Sequence, residues 1–360
     1  MGNYSLVTCL KDSENSVKKP GFLGQVYNFF QNTYKWLKIK DKLKQGVRKL
    51  EIYENKEDCY DSQETFPKAY CITIPLHLSE LEGLGTSRLK RIETLIKDFC
   101  LENNISIIIL PKTISQKCKF NNLPVGVFKG RSLFRALLPN ILDEIYTKRG
   151  IKIRDLDIAI VQGKSHEELF FFIRLLAPML KYLTVIAEDK EEIEKQAEGI
   201  YEESGLSVRV TKDRRSGLKD ARLVLNLGEL TEGMKIDPRA VVVNYGSIQS
   251  DMGISQNLLL NGIDIKLPSA VATRVEKSIF DYFTNYELAE IIISHKLGIE
   301  NNILSNETGS PDIYLSMHQE FCSSAYSIAG LIGRRSILKM RDINIYTGKT
   351  LQKLDAGRER

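Results

Sequence analysis

The chain has no uninterrupted apolar run near the roughly 18 residues that a membrane-spanning helix requires, so no transmembrane helix is expected. Its six cysteines, at 9, 59, 71, 100, 118 and 322, contain no C-x-x-C pair and no regular spacing. That excludes a disulfide framework and a cysteine-rich zinc module, and predicts reduced thiols. Cys71 and Cys100 fall inside apolar element patterns, where cysteine serves as a small hydrophobe. His295 and His318 lack metal-ligand spacing, so no metal site is expected. No G-x-S-x-G elbow is present. The N-terminal stretch lacks the apolar core of a secretion signal, and Leu6 departs from the myristoylation pattern, which together predict a cytoplasmic protein. Charge of one sign is also lacking. With 51 Lys+Arg against 46 Asp+Glu, the net +5 is too mild to imply specific nucleic-acid binding.

What remains is an ordinary globular composition, 42% hydrophobic and 27% charged, over 360 residues, enough for two cores. The pattern divides into a basic N-terminal segment and linker at 1–65, a smaller α/β domain at 66–150, a larger α/β domain at 151–270 and C-terminal helices at 271–360 that pack back on the body. In the first fifty residues ten Lys/Arg face three Asp/Glu, a balance of +7. Val26, Phe30, Tyr34 and Leu37 recur at helical steps among lysines. Residues 20–50 thus read either as a helix docking on an acidic partner or membrane surface, or as one that packs its aromatics on the body.

From residue 66 strands and helices alternate. AYCITIPL (69–76) and ISIIILP (105–111) read as strands, and a helical pattern from 131 to 148 contains Pro139, which should kink or divide it. Runs at 156–163, 182–189, 206–210, 222–228 and 240–246 are short, apolar and rich in β-branched residues, with amphipathic helices or polar turns between them. This alternation predicts a Rossmann-like, doubly wound parallel sheet, which binds ligands at the carboxyl ends of its strands. Helices are expected over 274–297 and from 311 through Ile332.

The first strand–helix turn of such a sheet holds a pyrophosphate on backbone N–H groups, and glycines keep side chains out of the way. Here Gly163 takes the first glycine position, while Ser165 and Glu168 stand at the second and third. Ser165 can cap the following helix and Lys164 can face a phosphate, but His166, Glu167 and Glu168 crowd the same helix end. A nucleotide-hydrolase phosphate loop is excluded, since Ile158 sits where its first glycine belongs. Glu188 and Asp189 close the second strand, where an acid either binds ribose hydroxyls, favouring NAD over NADP, or caps the next helix.

Residues 156–247 resemble the NAD(P)-binding half of the shikimate dehydrogenase and glutamyl-tRNA reductase group, with a degenerate glycine loop. Ala221-Arg222-Leu223-Val224-Leu225-Asn226-Leu227 is similar to that group's fourth-strand phrase, and Asn244-Tyr245-Gly246-Ser247 to the strand whose glycine borders the nicotinamide. The resemblance implies a dinucleotide running across Gly163 toward Asn226, Gly228 and Gly246. Ile72-Thr73-Ile74-Pro75 is similar to the substrate-domain phrase of shikimate dehydrogenases, with His77 where the catalytic lysine would stand.

Lys112, at the end of a buried strand, and His77 are then candidate proton carriers, and Lys129 and Arg131 candidate holders of a substrate carboxylate or phosphate; the plainer reading of each is a solvated edge residue. The resulting expectation is an NAD(P)-dependent oxidoreductase-like protein, potentially homodimeric, binding a small polar molecule in an interdomain cleft. The alternative is a non-catalytic protein of the same architecture whose basic aromatic N-terminal segment docks a partner or membrane surface.

Overall fold

The computed structural model describes residues 3–10, 47–50, 69–77, 80–81, 83–102, 105–111, 114, 125–127, 131–231, 234–248, 257–273, 277–299, 311–334, 336–339 and 341–348. The basic stretch 11–46, with its aromatic stripe, lies outside them. Two compact units emerge, residues 1–129 with 267–306, and residues 130–266 with 307–360. The segment 131–148 therefore groups with the second sheet, and 267–306 returns to the first.

The first unit contains β1 (Asn3–Leu10), β2 (Val47–Leu50), β3 (Ala69–His77), α1 (Thr86–Glu102), β4 (Ile105–Leu110) and β5 (Val125–Val127). Its sheet order is β2-β3-β1-β4-β5, parallel except for β2, which runs against β3. Helix α1 buries Ile92, Ile96 and Cys100, spaced four apart, against Ile72, Ile74 and Ile108. Two elements depart from expectation. Residues 1–65 supply the central strand β1 as well as β2, and β5 lies between the expected strand at 105–111 and the helical pattern from 131, where no strand was expected. Short strands with polar interruptions gain their identity from pairing partners, which a local pattern does not reveal.

The second unit opens with α2 (Ser132–Ala136) and α3 (Leu138–Ile145), separated at Leu137 with Pro139 in the first turn of α3. The expected division at the proline is observed there. Then follow β6 (Ile158–Val161), α4 (His166–Leu176), β7 (Tyr182–Ile186), α5 (Lys190–Ser204), β8 (Ser207–Thr211), α6 (Arg214–Leu218), β9 (Leu223–Asn226), β10 (Glu229–Leu230), β11 (Val241–Asn244), β12 (Ser247–Ile248), β13 (Leu258–Leu260) and β14 (Gly262–Lys266). Six of these strands form one sheet in the order β13-β11-β9-β6-β7-β8, and every neighbouring pair is parallel. Counted from β6 this is 6-5-4-1-2-3, the doubly wound order of the Rossmann fold. Both faces are buried: Ala159, Val161, Val224 and Val242 belong to one core cluster, while the alternate residues Ile158, Ile160, Leu225 and Val243 are also buried.

Beyond the sheet lie α7 (Ser269–Ala272), α8 (Lys277–Phe280) and α9 (Asn285–Lys296) of the first unit, then α10 (Pro311–Ser323) and β15 (Ser327–Ile332) of the second. The single helix expected over 274–297 is broken. Thr284 opens α9 with a capping box, its Oγ1 accepting from Glu287 N at 3.2 Å while Glu287 Oε2 accepts from Thr284 N at 2.8 Å. The C-terminal region is likewise not purely helical. After Ser323 the chain extends as β15 against β14 in antiparallel register, because a partner strand is present to satisfy it. No helix among the described residues is long and apolar enough to cross a membrane.

At the amino ends of β9 and β11, Arg222 and Asp237 form a buried pair, Nη1 lying 2.8 Å from Oδ2, and Arg239 adds bonds of 3.0 and 2.8 Å to the same carboxylate. Burial acts to raise the Asp237 pKa, but the Arg239 hydrogen bonds and the nearby Arg222 charge outweigh it and hold the carboxyl at about 2. A depressed folded-state pKa contributes stability above the unfolded value near 3.9 and loses it as pH falls through about 2. Urea unfolding between pH 5 and pH 2 should therefore lose about 2 kcal/mol from this group. Carbon-detected titration of the carboxyl, with Asp237→Asn as control, checks the assignment. A midpoint near 4 would contradict it.

Candidate functional site

The strand order of the second unit reverses between β6 and β9, and at such a switch point the loops leave the sheet in opposite directions and open a crevice. A cavity of about 370 Å³ lies there. Its walls come from the β6–α4 turn (Gln162, Gly163, Lys164, His166), the end of β7 (Ala187, Glu188, Asp189), Arg214 at the start of α6, and Glu229 and Thr231 beyond β9.

The turn is built as the sequence implies at Ser165 and differently at Glu168. Ser165 caps α4, its Oγ accepting from Glu168 N at 3.1 Å. Glu168, expected to oppose an anion, instead points into the protein, 4% exposed, and is bonded to the Arg135 guanidinium. Its charge is thereby compensated away from the crevice. The exposed Lys164 has no ionic partner among the described residues. The N–H groups of Gly163 through Glu167 likewise have no acceptor among them. Gly163, Lys164 and His166 line the crevice beside the N-terminus of this eleven-residue helix, whose dipole favours negative charge there.

Gly163, Gly228 and Gly246 have a role of their own. A Cβ on Gly163 would lie 2.5 Å from the Leu227 carbonyl oxygen. One on Gly228 would overlap the Gln162 carbonyl, and one on Gly246 the Gly228 carbonyl. These glycines let the loops after β6, β9 and β11 touch backbone to backbone. Hydrogen bonds continue the contact: Leu227 N donates to Val161 O at 3.0 Å and Ser247 N to Gly228 O at 2.9 Å. Asn226, fully buried, donates from Nδ2 to Asn244 Oδ1 at 2.7 Å and Ser247 O at 3.0 Å, while Asn244 donates to Asn261 at 3.0 Å. A ladder of amides thus spans β9, β11 and the residue after β13, a feature that pairing of strands alone could reveal.

On the other wall Glu188 is exposed and 3.1 Å from Arg214 Nη2. Asp189 occupies the N-cap position of α5 but its side chain makes no capping bond. Its Oδ2 lies 3.6 Å from His166 Nε2, and His166 Nδ1 is 3.5 Å from Glu192. Arg131 belongs to the same unit, where Nη1 donates to Tyr245 O at 2.8 Å and Gly246 O at 3.3 Å. Of the remaining candidates, Lys112 and Lys129 lie outside the described residues. His77 ends β3 in the first unit, and its side chain is also outside them. Arg214 and Arg135 had no local signal, because each acquires its acid through the fold.

No protein-family model matches the chain, and no curated protein matches it in sequence. Among solved structures it is similar to an ornithine carbamoyltransferase from Pyrococcus furiosus, at 15% identity and a TM-score of 0.26 over 52% of this chain and 70% of that one. An L-tryptophan dehydrogenase from Nostoc punctiforme gives 11% identity and 0.26 over 72% and 78%. A Thermococcus litoralis Δ1-pyrroline-2-carboxylate reductase solved with NADH and L-proline gives 11% and 0.24 over 32% and 36%. Likeness at this level carries no argument about activity. Strand order, not these neighbours, defines the fold.

Two substitutions test this construction. Gly228→Ala must displace backbone and should destabilise the protein by about 1–3 kcal/mol. Glu168→Gln leaves the Arg135 charge uncompensated and should cost roughly 3–5 kcal/mol. Denaturant midpoints at constant m-value measure both. Unchanged midpoints would remove the proposed packing roles.

Proposed function

We propose that the crevice at the carboxyl edge of the six-stranded sheet binds a nicotinamide dinucleotide, and that the protein is oxidoreductase-like, acting on a small polar molecule. The observation that carries this reading is the cavity at the switch point, lined by Gly163, Lys164 and His166, with their N–H donors and the Lys164 ammonium at the N-terminus of α4. Phosphate oxygens suit those donors. Glu188 and Asp189, both exposed on the opposite wall, suit ribose hydroxyls. Their charges disfavour a 2′-phosphate, which favours NAD over NADP, although Arg214 offsets part of Glu188. Bound nicotinamide would supply hydride chemistry. The chain's own part would be to hold the phosphates beside Gly163 and Lys164 and the ribose on Glu188 and Asp189.

One observation favours the alternative, a non-catalytic binding protein of the same architecture. Ser165 and Glu168 occupy the second and third glycine positions and are committed to a cap and an ion pair. The glycines that are present serve backbone packing. In that reading the basic stretch 20–50 meets an acidic partner or a membrane surface, and deletion of residues 11–46 should abolish liposome or partner binding.

Thermal shift and calorimetry with NAD⁺, NADH, NADP⁺ and NADPH decide the ligand. At 100 times its dissociation constant a bound dinucleotide stabilises the fold by about 2.7 kcal/mol. NAD(H) should shift the midpoint more than NADP(H), and Asp189→Ala with Glu188→Ala should remove the difference. Silence with all four dinucleotides rules out the oxidoreductase reading.

A further inference from the structure

A second pair of chemically capable side chains lies on α10, apart from the residues that line the crevice. His318 and Cys322 are four residues apart and so project from one face of the helix. His318 Nε2 lies 3.7 Å from Cys322 Sγ. Cys322 is exposed and His318 half-buried, so the pair opens to solvent. From α3, Asn140 Nδ2 donates to the same sulfur at 3.9 Å.

We propose that His318 and Cys322 form a two-point chelate for a thiophilic divalent cation of the zinc class, with Asn140 as the amide donor that orients the sulfur. The separation is what coordination asks for. Metal–sulfur and metal–nitrogen bonds of about 2.3 Å and about 2.0 Å, meeting at a tetrahedral angle, place S and N roughly 3.5 Å apart. The observed separation is 3.7 Å. Two ligands four apart on one helical face is the arrangement by which paired histidines hold zinc.

An N–H bond to a ligand sulfur is the usual outer support of such sites. Two protein ligands leave the remaining tetrahedral positions to water or a small ligand.

Titration of the reduced, metal-free full chain with Co²⁺ tests this directly. A thiolate-to-cobalt charge-transfer band should appear in the near ultraviolet, and Zn²⁺ should displace it. Cys322→Ser should abolish that band while the other five cysteines remain, and His318→Gln, which keeps the thiol, should weaken Co²⁺ binding at least tenfold. Asn140→Ala should weaken it by about tenfold. Circular dichroism of the metal-free variants separates loss of a ligand from loss of fold. A band that survives Cys322→Ser, or a His318→Gln titration identical to the parent, would overturn the assignment, as would the absence of any charge-transfer band.

Discussion

Backbone meeting backbone at the carboxyl ends of β6, β9 and β11 is the constraint on which the second unit's crevice depends. Parallel strands in a sheet buried on both faces must all turn out of the layer at the same edge, where their loops compete for space. Gly163, Gly228 and Gly246 resolve that competition by having no side chain to place. The loops beyond Gly228 and Gly246 then continue as a second, two-stranded parallel pairing, β10 with β12. The cavity lies where β6 and β9 send their chains apart.

A polar and aromatic brace around Tyr245 holds this edge from behind. The Tyr245 ring stacks on Phe172 of α4 at 5.0 Å and tilts against Phe134 of α2 at 4.8 Å. Its hydroxyl donates to Phe134 O at 3.4 Å, and burial pushes its pKa upward. Arg135 passes over the same ring, 5.8 Å from its centre, to reach Glu168, and Arg131 holds the Tyr245 and Gly246 carbonyls. Helix α2 therefore couples the first turn of α4 to the loop after β11. That coupling explains a glutamate where a pyrophosphate loop has glycine: the position faces inward and carries an ion pair.

The sequence made the parallel architecture legible because five of the six strands of the larger sheet, all but β13, lie in short runs rich in apolar and β-branched residues with helical patterns or polar turns between them. Pro139 marked the division between α2 and α3, and Ser165 marked the start of α4. β1 was not legible, since a strand interrupted by polar residues has no signature until β3 and β4 flank it. Nor was β15, whose apolar spacing fits a helix as well as a strand and whose state is settled by β14. At the site, Gly163, Lys164, Glu188 and Asp189 were readable from their positions at strand ends, whereas Arg214 and Arg135 were not.

By itself, then, the sequence determined which segments must be buried, their periods and their punctuation, because those follow from local stereochemistry and the cost of exposing apolar surface. Only the tertiary structure decided what each polar side chain meets. Glu168 became the partner of Arg135 rather than a neighbour of the crevice, and Gly228 a contact surface for Gln162 rather than a mere turn. A charge or a missing Cβ acquires its meaning from the group brought within a few ångströms of it, and that proximity is a property of packing between segments far apart in the chain.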